Sequence, residues 1–115
     1  MNTSNYKIAV KKDPQSRFFL IVERVDYELR LFWKRKEFFS VRKKQIPSEP
    51  FELKPRRKYL LRYNNNDSGE GYLKYKILQI LPNGIEEEVL EADLQAIDGP
   101  QVVEIPFMLW PGEEA

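Results

Sequence analysis

Over residues 24–34 apolar and charged side chains alternate almost without interruption. Val25, Tyr27, Leu29, Leu31 and Trp33 fall in one set, and Arg24, Asp26, Glu28, Arg30 and Lys34 in the other, with Phe32 the exception. An extended chain sends successive side chains to opposite faces, whereas a helix would scatter these apolar residues around its circumference. The stretch therefore predicts a strand with one buried face. The same period recurs at Tyr6, Ile8 and Val10, at Tyr59, Leu61 and Tyr63, and at Val103, Ile105, Phe107 and Leu109. Residues 18–22 are a continuous apolar run, suited to a central strand covered on both faces. Residues 38–42 form a further short strand after a polar turn over 34–37.

Turn signals divide these segments. Asp13-Pro14-Gln15-Ser16 is a turn, and residues 46–55, with Pro47, Pro50 and Pro55, run extended along an edge or across the surface. Residues 64–71, rich in Asn and Gly, end the strand before them as a mobile polar loop. Residues 72–81 and 85–94 read as a hairpin around Pro82-Asn83-Gly84. If Asn83-Gly84 forms a two-residue turn, Lys76 lies opposite Glu91, Lys74 opposite Asp93, Ile77 opposite Leu90 and Tyr75 opposite Ala92, a register of favourable pairs. Pro-Asn-Gly suits a three-residue loop, and a bulge further along restores that register. A helix is the alternative for 86–97, ranked behind strand for 86–90 and equal with it over 92–97, where Leu94 and Ile97 keep helical spacing and Gly99-Pro100 would stop it.

Seven or eight strands at short intervals define an all-β, mostly antiparallel chain, with a β-sandwich as the first architecture and a small β-barrel as the second. Leu53-Lys54-Pro55-Arg56-Arg57-Lys58-Tyr59, followed by Leu61 and Tyr63, resembles the tyrosine corner of fibronectin type III and other immunoglobulin-like domains. The resemblance implies an immunoglobulin-like sandwich in which the Tyr59 hydroxyl bonds back to the backbone. It spans about eleven residues, and the long stretch after Tyr63 exceeds the single further strand that family needs.

At 115 residues, 42% hydrophobic and 13% aromatic, the chain can bury a real core. The expectation is a single β domain over 1–110 with a flexible acidic tail at 111–115. There is no cysteine and no histidine. Ser-His and Cys-His nucleophile pairs are thereby excluded, as are nearly all zinc sites. With five glycines there is no phosphate-binding loop, so the chain is read as not an enzyme, with no cofactor and no metal site. No signal peptide and no run of about 18 apolar residues is present, so the expectation is a cytoplasmic protein with no membrane partner.

Charge is segregated along the chain. Residues 30–62 hold twelve Lys or Arg against three acids, a balance of +9, and residues 63–115 hold two Lys against eleven acids, a balance of −9. Such a division points to binding, either of a partner or of one half by the other. The candidate binding residues are Trp33, Lys34, Arg35, Lys36, Phe38, Arg42, Lys43 and Lys44, with Arg56, Arg57 and Lys58 as a second cluster. They suit a non-catalytic protein-interaction module that binds a protein partner or itself. The alternative is single-stranded nucleic acid, which cations track along phosphates and exposed rings stack upon. Binders of that kind usually carry a basic excess overall, and this chain has a net charge of +1. Glu86-Glu87-Glu88 with Glu91 and Asp93 lack the loop spacing of a calcium site.

Overall fold

The computed structural model describes residues 7–11, 15–42, 49–91 and 94–111. It is all-β: β1 (Lys7–Ala9), β2 (Arg17–Val25), β3 (Glu28–Trp33), β4 (Lys36–Arg42), β5 (Phe51–Leu53), β6 (Tyr59–Ile80), β7 (Glu86–Glu91) and β8 (Gln95–Trp110). All eight join one hydrogen-bonded sheet, antiparallel except for the parallel contact of β1 with the end of β8.

The 22-residue β6 is the spine of that sheet. On one side its first half pairs with β3 (Trp33 with Tyr59) and its second with β2 (Arg17 with Ile80). On the other side it pairs with β8 and then β7. Drawn straight, 22 residues would reach about 70 Å, more than the 49 Å longest dimension of the molecule. The strand must bend, and its neighbours break where it does. Residues 65–72 of β6 lie between the partners Glu28 and Val25, so only Asp26 and Tyr27 stand against them. On the other side the β8 register slips between Asn65 and Gly69.

Two polar side chains hold this corner. Asn65, fully buried, donates from Nδ2 to the carbonyls of Gly69 (3.1 Å) and Ile97 (3.0 Å) and accepts from the Asp67 N–H at 3.0 Å. It thus satisfies backbone groups that the slipped ladder leaves without partners. A Cβ on Gly99 would collide with this Asn65 side chain and the Asp67 carbonyl. Opposite, the Asp26 carboxylate accepts from the Tyr72 N–H at 2.9 Å while Tyr27 takes a left-handed φ of 75°. The single strand expected over 24–34 is therefore two strands, and residues 64–71 are strand, not the loop expected there.

The buried face alternates along each strand. Phe18, Leu20 and Val22 on β2 point inward with Leu29 and Leu31 on β3, Leu61, Tyr63, Leu73 and Ile77 on β6, and Phe107 and Leu109 on β8. Phe19 and Ile21 are only half-buried, so β2 is covered on one face and not on both. The sheet rolls until the edges β4 and β5 meet through Phe39 and Phe51, with ring centroids 5.3 Å apart. Among the described residues no ladder joins β4 to β5, so the roll is not closed by hydrogen bonds.

The hairpin register holds where it is described: Lys76 lies opposite Glu91 and Ile77 opposite Leu90, with a bulge after Ile77. Leu81 and Ile85 flank the three-residue loop, and Gly84 takes a φ of 87°. The pairings expected for Asp93 and Ala92 lie outside the described residues. Of the alternative helix over 86–97, residues 86–91 are β7 and residues 95–97 begin β8, and no helix occurs among the described residues. The turn before β4 is only Lys34 and Arg35. At the tyrosine corner the Lys54 N–H donates to the Tyr59 hydroxyl at 2.8 Å, as the resemblance implies.

Candidate docking surface

Two loops carry the basic residues. Trp33 pairs with Lys36, so Lys34 and Arg35 form a two-residue hairpin turn, with φ of 50° and 66°. Both central residues of such a turn need positive φ to match the twist of the strands, which is why Asn-Gly is the usual choice. Lys and Arg have a Cβ, and holding them there costs about 1–2 kcal/mol per residue. The second loop follows β5, where Arg56 also has a positive φ of 66° and its N–H donates to the Leu109 carbonyl at 2.9 Å. Of the four non-glycine residues with positive φ among the described residues, three are cations of these two loops.

The pairing of Trp33 with Tyr59 brings the loops side by side at one end of the sheet. The Arg57 guanidinium lies 3.9 Å from the Trp33 ring centroid and the Lys34 Nζ lies 4.8 Å from it. Phe38 stacks on Trp33 with centroids 6.2 Å apart, and Lys36 lies 5.7 Å from the Phe38 ring. Phe38 in turn reaches Phe51 and Tyr59, so the rings under the cations continue into the core. Trp110, which sequence reasoning passed over, is flanked in the same way by Lys7 at 4.6 Å and Arg56 at 4.8 Å. Its only signal was a tryptophan closing the last alternating run.

The surface is electrostatically open. Among the described residues no carboxylate lies within ion-pair distance of Lys34, Arg35, Lys36, Arg57 or Lys58. The nearest acid in sequence, Glu37, is turned to Arg30 at 3.3 Å. A hydrogen bond from Arg30 to Glu28, with the charge of that carboxylate, raises the guanidinium pKa further.

Not every candidate joins the surface. Arg42 sits at the far end of β4, about 20 Å from Lys36, and is paired with Glu28 at 3.0 Å. Lys43 and Lys44 lie outside the described residues. The two charged halves meet little among the described residues. Among the described residues Arg62–Glu104, at 2.8 Å, is the one ion pair joining 30–62 to 63–115. Of the acidic run, Glu87 meets Lys11 at 2.7 Å and Glu88 meets Lys76 at 3.7 Å. Among the described residues no three carboxylates gather in a way that could hold a metal ion.

No protein family, curated protein or solved structure matches this chain.

Proposed function

We propose that the chain is a non-catalytic docking module that binds an acidic segment of a protein partner through the loops at 34–36 and 56–58. The observation that carries this reading is the group of five cations, Lys34, Arg35, Lys36, Arg57 and Lys58, that have no carboxylate partner among the described residues and lie at two loops in which Lys34, Arg35 and Arg56 take left-handed φ. Strain of this kind persists where surrounding structure enforces it and concentrates at functional positions. The scaffold is read as a sandwich-like roll whose layers share β6, with the Tyr59–Lys54 hydrogen bond in support. A cysteine-free chain of this composition suits the reducing cytoplasm.

Single-stranded nucleic acid fits less well. Bases stack on free aromatic faces, and Trp33 already has Phe38, Arg57 and Lys34 against it. Anisotropy titrations with a labelled glutamate-rich peptide and a labelled thymidine oligonucleotide, each across a salt series, test the choice. The peptide should bind, weaken as salt rises, and lose at least about tenfold affinity with Arg35→Glu plus Lys58→Glu, a change of about 1.4 kcal/mol. Tighter binding of the oligonucleotide, or no binding of either at low salt, would overturn the reading.

A further inference from the structure

Resting on that docking reading, we infer that the bound segment presents a phosphorylated side chain, whose phosphate sits at the N–H edge of Arg57 with Lys34 beside it. A guanidinium over an aromatic ring gives one face to the ring and keeps its planar N–H edge for an oxyanion. This chain uses that arrangement repeatedly. Arg17 lies 5.0 Å from the Phe19 ring centroid, Arg24 4.4 Å from that of Tyr72 and Arg62 4.7 Å from that of Phe32. Each of the three also holds a carboxylate through Nε and Nη2: Glu52 for Arg17, Asp26 for Arg24 and Glu104 for Arg62.

Arg57 has the ring without the acid. Its guanidinium lies nearer its ring than those three, 3.9 Å from the Trp33 centroid, and Phe38 packs against the same indole. Among the described residues it has neither a carboxylate nor a hydrogen-bond partner. Half-buried against Trp33, the side chain is already positioned, so less freedom is lost when an anion arrives.

Charge and oxygen count decide which anion. A carboxylate has one charge and two oxygens, and a bidentate guanidinium uses both. Around Arg57 there is more positive charge to meet. Lys34 lies 4.8 Å from the same ring centroid, Lys58 is the next residue, and Arg35 and Lys36 adjoin Lys34. A phosphomonoester brings about −1.5 to −2 charges at pH 7 and three acceptor oxygens. Arg57 takes two of those oxygens and the Lys34 ammonium the third. A nucleic-acid phosphodiester, with one charge and two free oxygens, matches the site no better than a carboxylate.

The test uses the full chain and three labelled peptides of one glutamate-flanked sequence, differing only at a central serine, glutamate or phosphoserine. In anisotropy titrations at low salt, the phosphoserine peptide should bind at least about tenfold tighter than the glutamate peptide. Arg57→Lys keeps the charge and loses the planar fork, and should cut that ratio to about threefold or less. Lys34→Gln, on the exposed turn, should also cost the phosphoserine peptide more than the glutamate peptide. Equal affinity for the two peptides would overturn the inference while acidic docking stands. A phosphoserine preference unchanged by both substitutions would overturn the assignment to Arg57 and Lys34. Displacement of the phosphoserine peptide by inorganic phosphate at matched concentration would mark a site for the free ion and overturn the peptide assignment. If no peptide binds, the docking reading falls as well.

Discussion

Tyr63 is fully buried on β6, yet its hydroxyl has no hydrogen-bond partner among the described residues and lies against the backbone of Gly71. Burial pushes the phenol up to about 12, with the negative charge of Asp26 acting in the same direction. The folded state thus holds this proton more tightly than the unfolded chain, whose tyrosines titrate near 10. The resulting relative stability is complete below about pH 10 and is lost as pH rises towards 12, by roughly 2–3 kcal/mol at the standard conversion. Tyr63→Phe should be neutral or slightly stabilising at pH 7, since it removes an unpaired polar atom. It should also flatten the fall in stability between pH 10 and 12, as read by urea denaturation; an unchanged slope would count against the assignment. The tyrosine corner was legible at this scale because its pattern is local. The setting of Tyr63 was not, because Asp26 and Gly71 approach it only after folding.

At the scale of elements, the β3–β4 hairpin sets stability against presentation. Replacing the left-handed turn by Lys34→Asn with Arg35→Gly gives it the residues its geometry favours. Chemical denaturation should show a gain of about 1–2 kcal/mol, while affinity for the glutamate-rich peptide should fall. No gain would mean that these residues carry no strain. Strand identity was legible wherever apolar residues alternate, and the β6–β7 register was legible because apolar and opposite-charge pairs match across it, the three-residue loop being offset by the bulge after Ile77. The length of β6 was hidden. A run of Asn, Asp, Ser and Gly matches loop chemistry, and it becomes strand only because the buried Asn65 side chain bonds Gly69, Ile97 and Asp67. The division of 24–34 was hidden likewise, since Asp26 finds its partner at Tyr72.

In the whole molecule, one strand shared by both halves of the sheet should make folding cooperative. Leu61→Ala in the first half of β6 and Ile77→Ala in the second each remove a fully buried side chain. Each should cost about 2–5 kcal/mol. Each should also shift one common urea transition, followed in parallel by tryptophan fluorescence and far-ultraviolet circular dichroism. Separate transitions for the two probes would show that the halves unfold independently. Sequence by itself determined the all-β character, the inward faces and the absence of histidine and cysteine chemistry, because these follow from period, composition and neighbours along the chain. Tertiary structure decided that among the described residues the two charged halves share a single ion pair, Arg62 with Glu104. It also decided that the cations at 34–36 and 57–58 share one end while Arg42 belongs to Glu28. The reason is register: side chains far apart in sequence meet only where the pairing of β3 with β6, and the bend of β6, carry them.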